Sequence, residues 1–162
     1  RVRLDVGAHG RAGRERRELP RRGATAALAV VLVVDDRDRQ VRLVVHGAPG
    51  LDEISPLGPT TVLEVRRGLA PRHWTIDPLR YGFRGITPDA LAGGGPAENA
   101  AIVRAILGGT ATAGARAAVV LNAAAALYVG GVAPSYDAAV ETLLADGALA
   151  RGESVLRRLA EA

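Results

Sequence analysis

The stretch VRLVVHGAPGLDEISPLGPTT, residues 41–61, is the part of this chain that decides its fold. Residues 41–46 form an apolar run that predicts a buried strand, and because the run is nearly continuous we expect the strand to be parallel to its neighbours. A turn rich in glycine and proline follows and presents two adjacent carboxylates, Asp52 and Glu53. A polar site just beyond the end of a strand is typical of ligand-binding sites in open α/β sheets.

The adjacent carboxylates are the strongest candidate for a metal site. On a regular strand they would point to opposite faces, but between Gly50 and Pro56 the backbone need not be regular, so both can converge on one ion. Magnesium takes one or two protein carboxylates and completes its shell with water and phosphate oxygens. Asp52 and Glu53 are therefore chemically adequate for a Mg²⁺–phosphate or Mg²⁺–pyrophosphate complex. An acidic pair in a loop is also a common feature of solvated surfaces, so its spacing alone leaves both interpretations open.

The residues on either side of this stretch predict further strands. Upstream, 24–34 ends in valines that favour a buried strand, whereas its alanine-rich start favours a helix. Downstream, 61–66 and 72–76 alternate in polarity and predict the two strands of a β-hairpin. Residues 77–86 are predicted to be an irregular connector.

The second half of the chain has helical patterns. Pro96 opens a predicted helix that extends to about Leu107, and residues 114–129 are apolar on nearly every side, which predicts a buried helix. Ser135 is a candidate N-cap for a third helix, and 153–161 is predicted to add a last amphipathic turn or two. The predicted fold class is α/β, with a partial mixed or parallel sheet flanked by helices.

Composition limits the kinds of protein this can be. The chain has 162 residues, 48% of them hydrophobic, and no cysteine. We therefore expect one domain or a piece of a larger one, without disulfides or thiolate metal sites. The longest uncharged apolar run, 24–34, is well short of the ~20 residues that span a bilayer, and no signal peptide is visible. We expect a soluble cytoplasmic protein without a membrane partner.

The positive charge is confined to the start of the chain. Residues 1–40 carry ten arginines against six acids, whereas 41–162 carry eleven of each. A nucleic-acid-binding face would be expected to extend over the folded core as well, so we predict no nucleic-acid partner. Residues 1–40 are expected to form an irregular segment rich in arginine and glycine.

The remaining candidate residues carry weaker signals. The histidines, His9, His46 and His73, are too widely separated to suggest a triad, and His46 is expected to bond a backbone group at the end of its strand. Asn122 is an amide in the predicted buried helix and needs hydrogen-bond partners, so we expect it to bond a neighbouring loop rather than act in catalysis. The glycine-rich run 108–114 lies between two helices, so it is interpreted as a connecting loop rather than a phosphate cradle. No catalytic residue is assigned.

Three runs together point to a family. They are VVHGAPGLDEISPLGPTTVLEVRRG at 44–68, GGGPAENAAIVRAILGG at 93–109 and ARAAVVLNAAAALYVGG at 115–131. In this order and spacing they closely resemble the C-terminal half of anthranilate phosphoribosyltransferases, and the resemblance covers about 41–162. The LDEIS run and the pairing of ENA with LNAAAAL make the resemblance specific.

The resemblance implies a function and a site. Members of the family join anthranilate to phosphoribosyl pyrophosphate in tryptophan biosynthesis, releasing pyrophosphate, and they are usually homodimers. Their α/β domain is of the nucleoside phosphorylase and phosphoribosyltransferase type, and this chain would supply its C-terminal part. The acidic pair of the family's LDE run holds magnesium against the pyrophosphate. The resemblance therefore implies that Asp52 and Glu53 bind Mg²⁺ and that Glu53 also contacts the substrate.

The chain also departs from the family pattern. The family binds the sugar diphosphate through a Gly-Thr-Gly-Gly-Asp loop, an Asn-Ser-Thr segment and a Lys-His-Gly-Asn run, none of which occurs in this sequence. Gly95 stands where the family usually has an acid, and residues 1–40 match the family poorly. We therefore expect 41–162 to be the C-terminal half of the enzyme's α/β domain, a fragment with little or no transferase activity as a lone chain.

Two other interpretations stay open. A pyrimidine nucleoside phosphorylase-like enzyme would share the architecture, although the LDEIS context argues against it. A non-catalytic remnant would instead bind a partner, such as a full-length subunit.

Overall fold

The computed structural model describes residues 30–33 and 41–161, with the backbone alone for the first segment. The expectations for an irregular N-terminal segment and for the start of the 24–34 stretch lie outside the described residues. In chain order the structure has strands β1 (Val30–Val33), β2 (Val41–Gly47), β3 (Thr60–Arg66) and β4 (Arg72–Ile76), then helices α1 (Pro96–Leu107), α2 (Ala113–Val129), α3 (Tyr136–Leu144) and α4 (Arg151–Ala160). The predicted α/β class is confirmed.

The described strands form one sheet in the order β1-β2-β3-β4, and every pair is antiparallel. The predicted hairpin of 61–66 and 72–76 is confirmed as β3 and β4. The prediction that strand 41–46 is parallel, and with it the mixed or parallel sheet, is wrong for these strands. β2 lies between two antiparallel neighbours, and on the β3 side its Val45 faces Val62.

The burial of β2 explains why the parallel interpretation failed. Val41, Leu43 and Val45 are buried. Arg42 and His46 lie on the opposite face and are exposed. A strand covered on both faces would be apolar throughout, whereas this strand alternates and has one wet face, as antiparallel strands commonly do.

The buried face of the sheet packs against α2 and α3. One cluster joins Leu43, Val45 and Val62 of the strands to Val120 and Leu121 of α2. Three of the other buried residues of α2 are alanines, so the core is mainly aliphatic, with tyrosines at Tyr128 and Tyr136. The predicted burial of this helix is confirmed.

An aromatic contact fixes α3 against the edge of the sheet. The ring of Tyr136 lies edge-on to that of Trp74 on β4, with the ring centroids 5.6 Å apart. The Tyr136 hydroxyl donates a 2.9 Å hydrogen bond to the Leu121 carbonyl. The predicted Ser135 cap is confirmed, because its hydroxyl accepts a 3.1 Å hydrogen bond from the Ala138 amide.

The connections and the last helix complete the architecture. Short 3₁₀ turns at Pro78–Tyr81 and Pro88–Leu91 lie between the sheet and α1. The helix predicted from Pro96 to about Leu107 is confirmed as α1, and the amphipathic turn expected at 153–161 is a full helix, α4. No helix in the described ranges is long and apolar enough to cross a membrane.

Candidate metal site

The acidic pair lies between β2 and β3, in residues 48–59, which we call the acidic loop. Asp52 and Glu53 are both exposed. Ile54 and Ser55, directly after them, are completely buried. The loop therefore presents two carboxylates to solvent from a backbone that is anchored in the core.

A short antiparallel bridge closes the start of the acidic loop. Gly47 and Leu51 exchange two backbone hydrogen bonds, of 3.0 and 2.8 Å. A side chain at Gly47 would not fit, because a Cβ there would lie 2.4 Å from the Glu53 carbonyl oxygen and 2.8 Å from the Ser55 Cβ. This close approach requires glycine at position 47 and holds the backbone of Glu53 against the end of β2.

Ser55 braces the second half of the acidic loop. Its amide donates a 2.9 Å hydrogen bond to the Thr60 hydroxyl, and its own hydroxyl donates to the Ala48 carbonyl. The same hydroxyl accepts a 3.0 Å hydrogen bond from the Leu57 amide. The Ala48 amide in turn donates to the Pro59 carbonyl at 3.1 Å. The two ends of the loop are thus joined to each other as well as to the sheet.

Asn122 ties the acidic loop to α2. Its Oδ1 accepts a 3.0 Å hydrogen bond from the Ile54 amide, and its Nδ2 donates a 2.9 Å hydrogen bond to the Ile54 carbonyl. Nδ2 also donates to the Ala118 carbonyl, one turn earlier in the helix, at 3.0 Å. The expectation that Asn122 bonds a neighbouring loop is confirmed. The sequence did not indicate that this loop is the one that carries the acidic pair.

The donor atoms of the acidic pair suit a hard cation such as Mg²⁺. Asp52 and Glu53 offer oxygen ligands, and magnesium keeps several waters when one or two carboxylates hold it. Within the described residues, no group of three or more His, Asp or Glu side chains could hold a metal ion by itself. An ion at this pair would therefore complete its shell with water or with oxygens of a bound phosphate. Metal binding by the pair stays a prediction.

A cavity of about 510 Å³ lies beside Glu53, between the Pro88–Leu91 turn, α1 and α2. Most of its lining residues are aliphatic, and they come from the two helices and from the connecting segments. The run 108–114 connects α1 to α2, as predicted. Residues 110–112 of this run also line the cavity. The fold thus brings the glycine-rich run and Glu53 to one cavity, a proximity that sequence order does not reveal.

The histidines within the described range lie outside this arrangement. His46 is exposed on the wet face of β2, opposite Thr61 of β3. The bond expected between His46 and a backbone group stays a prediction. His73 is exposed on β4, on the outer side of the hairpin.

A second group of charged residues, the Glu64 cluster, was not anticipated from sequence. Glu64 lies on β3, and its side chain is only 2% exposed. Its carboxylate accepts hydrogen bonds from Arg66 Nε at 2.5 Å, Arg72 Nη2 at 2.7 Å, Trp74 Nε1 at 3.0 Å and the Tyr128 hydroxyl at 2.9 Å. Arg66 also donates to the Tyr128 hydroxyl. The cluster links β3 and β4 to α2 through one buried carboxylate.

The partners of Glu64 keep it ionised. Burial by itself raises the pKa of the Glu64 carboxyl, but the hydrogen bonds from Arg72, Arg66 and Tyr128 outweigh burial and hold this pKa below its ordinary value. Burial, together with the hydrogen bond to Glu64, raises the pKa of the Tyr128 hydroxyl. At neutral pH the cluster therefore contains a charged glutamate and a neutral tyrosine, a structural arrangement rather than a reactive one.

Comparison with known proteins places the chain in a family. Residues 24–154 match the glycosyl transferase family, a/b domain. The chain is 52% identical over 100 residues to the anthranilate phosphoribosyltransferase of Thermomicrobium roseum, a match that covers 60% of this chain and 28% of that protein. It is 41% identical over 136 residues to the protein of the same name from Chloroflexus aggregans, covering 83% of this chain and 39% of the relative.

A solved structure supports the same relationship. The crystal structure of anthranilate phosphoribosyltransferase from Thermus thermophilus superposes with a TM-score of 0.55 at 38% identity, over 66% of this chain and 32% of that chain. The resemblance inferred from the three sequence runs is thus confirmed, and the matched region begins upstream of residue 41. The chain spans about a third of the length of the relatives that it matches. The division of the chain at residue 41 stays a prediction.

Proposed function

This chain belongs to the glycosyl transferase family by its a/b domain, and from that premise we propose that it carries the magnesium-binding part of an anthranilate phosphoribosyltransferase. The activity would transfer the phosphoribosyl group from phosphoribosyl pyrophosphate to anthranilate, in tryptophan biosynthesis. The observation that carries the proposal is the acidic loop, which offers two exposed carboxylates from a backbone held on three sides. The relatives that share this region bear the name of that enzyme.

In this proposal the residues of the chain have separate tasks. Asp52 and Glu53 hold Mg²⁺ through carboxylate oxygens, and Glu53 also faces the bound substrate. A bound Mg²⁺ would neutralise negative charge on the pyrophosphate leaving group and so lower the barrier to its departure. Gly47, Ser55 and Asn122 keep the loop in place but do not touch the reacting atoms. We further propose that the intact enzyme is a cytoplasmic homodimer. Size-exclusion chromatography with light scattering would test the dimer, for which a monomer mass would be contrary evidence, and cell fractionation would test the location.

A chimera tests the proposal directly. Residues 41–161 would replace the matching segment of the Thermus thermophilus enzyme, and turnover would be assayed with anthranilate, phosphoribosyl pyrophosphate and Mg²⁺. We expect the chimera to be active. We expect Asp52→Asn and Glu53→Gln each to lower kcat/KM by about 100-fold or more, because metal stabilisation of a transition state amounts to several kcal/mol.

The control for the chimera is Glu141→Gln, which neutralises an exposed glutamate on α3. Its kcat/KM should stay within twofold or so of the unsubstituted chimera, as for most surface changes. If Asp52→Asn and Glu53→Gln were as active as this control, the acidic pair would have no metal role. The chain 1–162 alone should show little or no turnover in the same assay, and turnover near that of the intact Thermus thermophilus enzyme would contradict this expectation.

A further inference from the structure

We propose that Asn122 is a positioning residue for the acidic pair: its side-chain amide fixes the backbone at Ile54 and thereby sets where the preceding carboxylates project. The inference deepens the proposed function and rests on it, because positioning matters only if Asp52 and Glu53 bind a metal. Asn122 lies on α2, and the residue that it binds is 68 positions away in the chain.

The geometry is a two-bond clamp on one residue. Asn122 accepts from the Ile54 amide at 3.0 Å and donates to the Ile54 carbonyl at 2.9 Å, so both backbone polar groups of Ile54 are satisfied by one side chain. An asparagine side chain has one acceptor oxygen and two N–H donors. The second N–H donates to the Ala118 carbonyl at 3.0 Å. The three bonds together fix which way the side-chain amide faces. If it were reversed, its N–H₂ group would face the Ile54 N–H, and its oxygen would face the Ile54 and Ala118 carbonyl oxygens.

The clamp acts directly beside the acidic pair. The Ile54 side chain is 0% exposed, so it is held in the core while its backbone is held by Asn122. Glu53 is its immediate neighbour and is confined on the other side by the close approach of Gly47. The exposed carboxylates therefore extend from a backbone that is ordered before any ion arrives. Ordering a backbone residue costs conformational entropy, so a preordered loop avoids that cost when the ion binds.

No simple replacement reproduces the clamp. Alanine would leave the amide and carbonyl of Ile54 without their partner. An ionised aspartate would still accept from the amide, but it offers no donor to the carbonyl. We therefore expect both Asn122→Ala and Asn122→Asp to loosen the loop, because the second aspartate oxygen would face the Ile54 and Ala118 carbonyls, which are also acceptors.

The chain provides a matched control in Asn99. Its Oδ1 accepts from the Gly94 amide at 2.9 Å and its Nδ2 donates to the Gly94 carbonyl at 2.9 Å, the same two-bond arrangement on a different segment. Asn99→Ala thus removes a similar two-bond contact and leaves the bonds to Ile54 in place, although Asn99 is more exposed than Asn122 and also lines the cavity beside Glu53. If Asn122→Ala weakens Mn²⁺ binding and Asn99→Ala does not, the effect comes from losing the contact with Ile54 and not from losing any asparagine.

The experiment measures metal binding and loop order in the full 162-residue chain. Mn²⁺ would be titrated with inorganic pyrophosphate present and followed by electron paramagnetic resonance, and amide hydrogen exchange at Leu51, Ile54 and Ser55 would be followed by NMR. We expect Asn122→Ala to raise the Mn²⁺ Kd by about tenfold, the size of effect that outer partners of metal ligands have. Exchange at Ile54 and Ser55 should accelerate as well. Asn99→Ala should change neither quantity by more than about twofold.

Each outcome decides the proposal. An unchanged Kd and unchanged exchange in Asn122→Ala would overturn it, and so would an equal loss of affinity in Asn99→Ala. If Asn122→Ala does not fold, the decision passes to hydrogen exchange in Asn122→Asp, for which exchange at Ile54 and Ser55 as slow as in the parent would overturn it. If the parent chain binds no Mn²⁺, the same substitutions are titrated in the chimera, which contains the phosphate-binding segments. Equal Kd values for the chimera and its Asn122→Ala form would overturn the proposal, and absence of binding in the chimera would refute the metal role of the acidic pair.

Discussion

Replacing Glu64 by glutamine should destabilise the chain by about 2–3 kcal/mol at pH 7. Removing one partner of a buried ion pair typically costs roughly 3–5 kcal/mol. The cost is smaller here because the arginine partners are 43% and 63% exposed and can turn to water. Glutamine has the shape of glutamate, but its N–H₂ group would replace a carboxylate oxygen that accepts hydrogen bonds from the arginine, tryptophan and tyrosine donors of the cluster. The loss therefore comes from charge and hydrogen bonding rather than from packing.

Urea unfolding followed by circular dichroism measures this effect. With a slope of roughly 1–3 kcal/mol per molar urea for a small protein, the midpoint for Glu64→Gln should fall by about 1 M. The matched control is Glu141→Gln, whose glutamate is exposed and should change stability by no more than about 0.5 kcal/mol. If Glu64→Gln were as stable as this control, the hydrogen bonds and ion pairs of Glu64 would not stabilise the fold, and a stabilising role for the cluster would be refuted.

A second test is how the difference in unfolding free energy between the parent chain and Glu64→Gln depends on pH. The pKa of Glu64 is lower in the folded chain than in the unfolded chain. Its stabilising contribution is therefore fully present above the unfolded pKa of about 4.3 and is lost as the pH falls through the folded pKa. The gap between parent and Glu64→Gln should be constant between pH 6 and 8 and should shrink below about pH 4. A gap that persisted unchanged in acid would refute the assignment to an ionised Glu64.

Two further substitutions test local features, and both are measured by urea unfolding. Gly47→Ala should destabilise the chain by about 1–3 kcal/mol through overpacking against the Glu53 carbonyl, and parent-like stability would contradict the close approach of the acidic loop. Ser135→Ala should cost about 1 kcal/mol by removing the cap of α3. Ser154→Ala, whose hydroxyl donates to its own helix at Arg151, should cost less, and equal losses would argue against a capping role for Ser135.

The sequence predicted the kind and place of most elements because local rules decide them. The hairpin of β3 and β4, the proline at the start of α1 and the Ser135 cap each follow from a few neighbouring residues. The direction of β2 does not. Its run of valines looked continuous, yet Arg42 and His46 already marked one wet face, and that alternation distinguishes antiparallel from buried parallel strands.

The sequence indicated the carboxylates of the candidate site but not the residues that hold the acidic loop in place. Asp52 and Glu53 stand together in the sequence, and the resemblance to a family gave them a role. Asn122 was recognised as needing partners, but its partner depends on how α2 packs. Glu64 alternates with Val62 on one face of β3, and nothing local indicates that this face is buried. Its partner Tyr128 is 64 positions away, so only the packed structure shows the buried pairing.

The order of the strands has a consequence for how this region folds. Each strand of the described sheet pairs with the next one along the chain, so the sheet forms by closing short loops, which is fast and costs little entropy. The bond between Asn122 and Ile54 joins residues 68 positions apart and can form only when α2 reaches the sheet. We therefore expect the contact of Asn122 with Ile54 to form late in folding, after the strands that flank the acidic loop and the local bonds within it.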